Sequence, residues 1–198
     1  MKLLLASYNR GKLLEIQALL ADLHLDLLSP SSLSIQLDIV EDGETYQSNA
    51  ARKALAFAQV SGLLSLADDS GLEVDALGGQ PGLHSRRFSP MPGATDQDRR
   101  VLLLQNLQGK QRPWSARFRC VVALASAAGE LWFSEGICEG EIIPEERGQN
   151  GFGYDPIFLL PELGKTMAEL SMGEKNRLSH RARAVLAARD ILQTLASD

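Results

Sequence analysis

Leu3-Leu4-Leu5-Ala6-Ser7-Tyr8-Asn9-Arg10-Gly11-Lys12 opens the chain with an apolar run that turns abruptly polar. The apolar part reads as a short buried strand. From about Lys12 to Leu23, Leu13, Ile16, Leu20 and Leu23 recur at steps of three and four, which predicts a helix with one apolar stripe. The junction is therefore strand, polar loop, helix. Leu25 to Leu28 supplies the next strand, Ala-rich Tyr46 to Val60 a second helix, and Leu63 to Ala67 another buried run. Thr95-Asp96 caps a helix to about Leu107. The middle changes character: Ser115 to Ser126 and Glu130 to Glu139 are strand-like and joined by Ala128-Gly129, which predicts a hairpin. Ile157 to Leu160 is a further strand. A last helix runs from about Ser179 to Ala196, with Ala182, Val185, Leu192 and Leu195 on one face. Strand and helix alternate, then strands dominate, then a helix closes the chain. That order predicts an α/β protein with a mixed sheet and flanking helices, not a purely doubly wound one.

The 198 residues suggest one domain over 1–198. Composition, 44% hydrophobic and 23% charged, is that of a globular chain and excludes intrinsic disorder. Twenty Lys and Arg stand against 25 Asp and Glu, a net charge of −5. A net-acidic protein repels nucleic acid and anionic membrane alike, so any anion it binds must meet a local cluster of cations. Two cysteines, Cys120 and Cys138, without a CxxC exclude a disulfide framework and a cysteine zinc site. Buried thiols fit the reducing cytosol, and the cytoplasm is the expected compartment. No segment approaches the ~20 apolar residues of a membrane helix, and Leu3 to Ala6 is too short for a signal-peptide core.

Five constellations carry chemistry. Ser7-Tyr8-Asn9-Arg10-Gly11-Lys12 lies where the first strand feeds the first helix, a ligand-binding position in open α/β sheets. Ser7 or Asn9 can cap the helix, and Gly11 lets the backbone approach a ligand. Arg10 and Lys12 near a helix N-terminus oppose the macrodipole, a conflict that a bound phosphate reverses. Walker A spacing is absent. Asp68-Asp69-Ser70-Gly71-Leu72 follows an apolar strand. It reads either as turn chemistry or as oxygen ligands for Mg²⁺ and water. If the strand continues, the two acids point to opposite faces, one at the site and one supporting it. In Val40-Glu41-Asp42-Gly43-Glu44-Thr45, Asp42 and Glu44 suit a helix N-terminus, while Glu41 lies outside that role and is a candidate second metal carboxylate. Asn150-Gly151-Phe152-Gly153-Tyr154-Asp155-Pro156 offers rings on which a nucleobase can stack, or a bulged turn with aromatics turned inward. Glu174 to Arg183 packs four Lys and Arg within 175–183, with Ser179 as a cap and His180-Arg181 opening a helix. It reads as a solvated face or as a donor cluster for carbonyls and phosphate. His24 and His84 lack ligand company. Taken together, these are the parts of a Mg²⁺-dependent nucleoside triphosphate site.

The chain resembles the inosine triphosphate pyrophosphatase family, in its bacterial dITP/XTP pyrophosphatase branch. The resemblance spans nearly the whole chain. Its segments are Ser7 to Lys12, Asp68 to Leu72, Ala76-Leu77-Gly78-Gly79-Gln80-Pro81-Gly82, Gly151 to Pro156 and Ser179-His180-Arg181, in the family's order. It implies an elongated mixed sheet with two lobes around a central substrate cleft, usually in a homodimer. It implies that Ser7, Tyr8, Asn9, Arg10, Gly11 and Lys12 hold a triphosphate. Asp69 would activate water and bind Mg²⁺ with Glu41, and Asp68 would support it. Ser70 would contact substrate, Phe152, Gly153, Tyr154 and Asp155 would hold the base, Lys175 would bind substrate, and His180 and Arg181 would read the base edge. The implied reaction converts ITP, dITP or XTP to the monophosphate and pyrophosphate, clearing deaminated purines from the nucleotide pool. Two readings of other classes stand beside it: a non-catalytic purine-nucleotide sensor, and a phosphatase for other phosphoesters. Two residues depart from the pattern: Ser48 stands before Asn49-Ala50 where many relatives carry Glu, and Tyr8 stands where Gly is common, narrowing the mouth.

Overall fold

Leu3, Leu4 and Leu5 are wholly buried in β1 (Lys2–Leu5), the element that organises the first half of the chain. The computed structural model describes residues 1–197. After β1 come α1 (Arg10–Leu19), β2 (Asp26–Leu28), α2 (Tyr46–Ser61), β3 (Leu64–Val74), β4 (Pro81–Gly82) and α3 (Asp96–Leu107). β5 (Trp114–Ala125) and β6 (Leu131–Ile142) form the long middle strands. β7 (Phe158–Leu160), β8 (Lys165–Thr166), α4 (Met172–Leu178), α5 (His180–Ala187) and α6 (Arg189–Ser197) complete the described chain. The sheet order is β2-β1-β3-β5-β6-β7-β8, with β4 paired to β3. β1 runs parallel to β2 and β3, whereas β7 runs antiparallel to β6 and β8, so the sheet is mixed as expected. Among the described residues no helix is long and apolar enough to cross a membrane.

The chain divides into two compact units. One comprises Met1–Asp69, Cys120–Gly136 and the chain from His180; the other comprises Ser70–Arg119 and Ile137–Ser179. The first has a core of aliphatic side chains, among them Leu3, Leu5, Ile16, Leu66, Leu124 and Val185. The second is built around Leu72, Leu103, Trp114, Phe118, Ile157 and Phe158, with the Phe118 and Phe158 rings 4.5 Å apart. Both thiols, Cys120 and Cys138, are buried.

Three expectations change. β3 does not end before Asp68-Asp69-Ser70-Gly71 but runs through it, so the turn reading fails. Pairing explains this: Leu64 to Leu66 pair with β1 on one side of the acids, and Leu72 and Glu73 pair with β4 beyond them. α1 stops at Leu19 instead of Leu23; Arg189 Nη1 donates to the Leu19 carbonyl at 3.1 Å, satisfying an acceptor the helix end leaves over. The single C-terminal helix is two, because the Ala188 N–H is shared between the Ala184 and Val185 carbonyls at 3.2 and 3.1 Å, tightening the turn between them.

Candidate active site

In the first unit, the β1–α1 loop is fixed by its own side chains. Asn9 caps α1, its Oδ1 accepting from the Lys12 amide at 3.1 Å, and Ser7 Oγ accepts from the Asn9 amide at 3.1 Å. Lys12 then directs Nζ to Asp68 Oδ2 at 2.9 Å. The same oxygen takes Arg181 Nε at 3.2 Å, while Arg181 Nη1 pairs with Glu15. Asp68 and Arg181 are 3% and 1% exposed. Burial works against the Asp68 charge, but Lys12, Arg181 and Lys53 outweigh it and hold the carboxyl well below the usual carboxylate range. Burial likewise opposes the Arg181 charge, and Asp68 and Glu15 overcome it, raising its pKa. Burial, with Asp68 adding, pushes the Cys120 thiol up, so it is no nucleophile.

Asp69 answers to a different set of groups. Its Oδ2 accepts from Asn49 Nδ2 at 3.1 Å, and its Oδ1 lies 3.5 Å from Lys53 Nζ. Lys53 Nζ also donates to Glu41 Oε1 at 2.6 Å and to the Asp68 carbonyl at 2.8 Å. One ammonium thus gathers Glu41 and Asp69. Burial would lower the Lys53 pKa, but Asp69, Asp68 and Glu41 raise it. At Asp69 burial dominates and pushes the carboxyl up; Lys53 and Lys12 restrain the rise and Glu41 adds to it. Adjacent acids on one strand therefore have opposite shifts: Asp68 is locked as an anion, and Asp69 is the better base.

Among the described residues, no three His, Cys, Asp or Glu converge as a ready metal cage. Mg²⁺ does not require one: it takes one or two carboxylates and fills the rest of its octahedron with water and substrate phosphates. Asp69 and Glu41, both against Lys53 Nζ, could supply such carboxylates, and buried Asp68 Oδ1 makes no hydrogen bond. The donor set, all oxygen, fits a hard cation.

The second unit presents another cluster. Asp155 Oδ2 accepts from the Phe152 amide at 2.9 Å and from Lys175 Nζ at 2.6 Å. That ammonium also lies 5.1 Å from the Phe152 ring centroid. Gly151, at φ +75°, has the Asp155 carboxylate where a Cβ would sit, so only glycine closes this turn. α3 holds both peptide groups of Gly153: Asp96 Oδ2 accepts from its N–H at 2.8 Å, and Arg100 Nη1 donates to its carbonyl at 2.8 Å. Tyr154 turns inward, buried, with its hydroxyl donating to the Ser85 carbonyl at 2.8 Å; burial pushes its phenol up.

Residues 3–191 match the model of the Ham1 family. The chain belongs to the Ham1 family. It is 46% identical to a dITP/XTP pyrophosphatase of Desulforamulus reducens over 98% of this chain and 97% of that protein. It is 45% identical to one of Thermus thermophilus, over 94% and 89%. A solved Ham1 protein of Coxiella burnetii superposes with a TM-score of 0.88 at 41% identity, covering 98% and 99% of the two chains. A Staphylococcus aureus Ham1 protein gives 0.86 at 36%, over 98% and 99%.

In this Ham1-family chain, the first unit brings together Lys12, Asp68, Arg181, Asp69 and Glu41, and the second joins Phe152, Gly153, Asp155 and Lys175. Arg10 is exposed; His180 is buried at the start of α5; Ser70 is half-buried on β3. The Tyr8 side chain turns to residues 35–37, its hydroxyl donating to the Ile35 carbonyl at 3.0 Å and accepting from the Leu37 amide at 2.9 Å. The helix capped beyond Glu41 uses Thr45, not Asp42 or Glu44, and Ser48 closes the capping box. Sequence reasoning missed Lys53, Asn49 and Glu15. The signal for the first two was there: Asn49 and Lys53 stand four apart on one face of an Ala-rich helix, polar where the pattern asks for apolar.

Proposed function

We propose that this protein hydrolyses non-standard purine nucleoside triphosphates, dITP, XTP and ITP, to the monophosphate and pyrophosphate. The observation that carries this reading is the split of the Asp68-Asp69 pair, one carboxylate locked by Lys12 and Arg181 and the other raised by burial beside Lys53. The names of its relatives support the substrate class.

In this reading the capped N-terminus of α1 presents the Arg10 and Gly11 amides to the triphosphate, with the Arg10 and Lys12 side chains adding charge. Mg²⁺, when bound through Asp69 and Glu41, supplies neutralisation of the triphosphate oxygens. Asp69 orients a water and accepts its proton as the oxygen attacks the α-phosphorus. The bond from that phosphorus to the bridging oxygen breaks, and pyrophosphate leaves with the electron pair. Lys53 keeps Glu41 and Asp69 together before substrate arrives. Asp68 keeps Lys12 aimed, and Arg181, engaged with Asp68 and Glu15, steadies it.

The base falls to the second unit's Phe152 ring, set in the Gly151–Asp155 turn, with Ser70 and Lys175 completing that side and Tyr154, turned into the core, supporting the turn from behind. Lys175 supplies a donor to a 6-oxo group; Arg181, engaged with Asp68 and Glu15, is left out of base reading. Adenine carries an amino group there and would leave a buried donor unpaired, a cost of about 1–3 kcal/mol. A homodimer in the cytoplasm completes the reading; light scattering checks the first point. The test of function is pyrophosphate release with Mg²⁺ across dITP, XTP, ITP, dATP and dGTP. Rapid release from the first three alone is expected. Inorganic phosphate as the first product, or tight binding with no turnover, overturns it.

A further inference from the structure

Asn49 is 1% exposed, and both ends of its amide are used. Nδ2 donates to Asp69 Oδ2 at 3.1 Å, and Oδ1 accepts from the Gly43 amide at 2.8 Å. Gly43 lies two residues beyond Glu41 in a stretch, 35–44, that contains no helix or strand. Such a stretch must be held from outside if Glu41 is to stay near Asp69. The approach at Gly43 is tight: a Cβ there would run into Ser48 Oγ and Asn49 Oδ1. Ser48 is occupied in the cap of α2, its Oγ accepting from the Thr45 amide at 3.2 Å and donating to the Thr45 carbonyl at 2.8 Å. The neighbouring amide therefore links the backbone of the segment to Asp69, beside the side-chain link that Lys53 makes between Glu41 and Asp69.

We infer that Asn49 is a positioning residue, one rigid amide that holds the Asp69 carboxylate by its N–H end and the Glu41-bearing segment by its carbonyl end. The inference rests on the catalytic reading of Asp69. Only an amide does both jobs: a carboxylate lacks the donor, and an aliphatic side chain lacks both groups. The two ends can thus be cut separately. Asn49→Asp keeps an acceptor for Gly43 but offers Asp69 no hydrogen. Asn49→Leu removes both ends. Gly43→Ala pushes the segment away from Ser48 and the Asn49 carbonyl end while keeping the Asn49 amide and the Asp69 carboxylate in the chain.

The experiment pairs steady-state pyrophosphate release from dITP with amide hydrogen exchange at Gly43. Misplacing a catalytic group by about 1 Å costs on the order of a hundredfold, so Asn49→Asp should lower kcat about a hundredfold with KM within about threefold. Its Gly43 exchange should stay near the parent's. Asn49→Leu should lower kcat similarly and speed that exchange at least about tenfold. Gly43→Ala should speed exchange with the smaller kcat loss, about tenfold. The inference is overturned by Asn49→Asp turning over within about threefold of the parent, or by Asn49→Leu leaving Gly43 exchange unchanged. Should the Asn49 variants not fold, Gly43→Ala decides alone: parent-like exchange overturns the inference. A parent that releases no pyrophosphate sinks the functional reading instead, and the exchange arm still decides whether Asn49 holds the segment.

Discussion

The first unit buries a crowd of charges; the second buries one pair beside a ring. In the first, Lys12, Lys53 and Arg181 stand against Glu15, Glu41, Asp68 and Asp69, three cations to four carboxylates, which leaves one negative charge. In the second, Lys175 and Asp155 satisfy each other at 2.6 Å, and the Phe152 ring lies alongside. Burying charge is expensive, and removing one partner of a buried pair leaves an uncompensated charge. The surplus carboxylate in the first unit suits a divalent cation brought with a polyanion. The Lys175–Asp155 pair in the second, with a half-buried ring and fixed backbone groups beside it, suits a planar ligand without net charge. The proposed function accordingly places bond-breaking in the first unit and recognition in the second.

The hardest blow to that division is Asp69→Asn. Removing the raised carboxylate should lower kcat for pyrophosphate release by about 10²–10⁴-fold, the span of a lost general base, with KM for dITP changing less than about threefold. Asp155→Asn is the partner experiment: it should raise KM more than it lowers kcat. If the two variants show the same kcat loss at constant KM, the units do not divide the work.

Next in size is Lys175→Met. Asp155 is then left buried without its ammonium, and breaking such a pair costs about 3–5 kcal/mol. A clear fall in melting temperature is expected, together with weaker selection for a 6-oxo purine over dATP. Unchanged selection with lowered stability would make the pair a fold device and remove it from recognition.

How much of this the sequence carries follows the same contrast. Local rules are legible one residue at a time: Asn9 before a helix, Thr95 before another, and Asp68 and Asp69 on opposite faces of a strand. Ser171-Met172-Gly173-Glu174 spells a capping box, which the structure realises at α4, the helix missed between β8 and α5. What stays hidden is pairing over long separations. Nothing near Asp68 in sequence says that Arg181 will reach it, and nothing near Glu41 says that Lys53 will hold it. The turn reading of Asp68-Asp69-Ser70-Gly71 fails for that reason as well: turn propensity is local, while β1 and β4, which keep β3 extended, come from elsewhere in the chain. The ring of Tyr154 is a milder case, its inward turn decided by a carbonyl at Ser85.

A smaller effect separates the two acids of β3 by pH. Lys12, Arg181 and Lys53 hold the folded Asp68 carboxyl below its ordinary pKa of 3.8, so its contribution is fully present above that value and is lost as pH falls below it. The melting temperature of the parent should exceed that of Asp68→Asn at about pH 6, and the gap should narrow as pH drops to about 3. Asp69 is shifted the other way, so Asp69→Asn should not reproduce that narrowing. A gap that holds constant or widens toward acid would mean that Lys12 and Arg181 do not stabilise the Asp68 anion.

The smallest expected effect tests where the first unit ends and its ligand begins. Tyr8 sits inside the phosphate-type loop, yet it is 52% exposed and its hydroxyl is spent on the backbone at Ile35 and Leu37. Its ring lies 5.9 Å from that of Phe57, a contact that Tyr8→Phe retains. At so exposed a site water replaces most of what is lost, so the two hydrogen bonds together contribute about 1 kcal/mol. That corresponds to a fall of about 2–4 °C in melting temperature, with kcat and KM for dITP within about threefold of the parent. The opposite result, an unchanged melting temperature with a tenfold weaker KM, would mean that the hydroxyl leaves residues 35–37 to meet the triphosphate. The segment bearing Glu41 would then be held by α2 alone, through Asn49, Arg52 and Lys53.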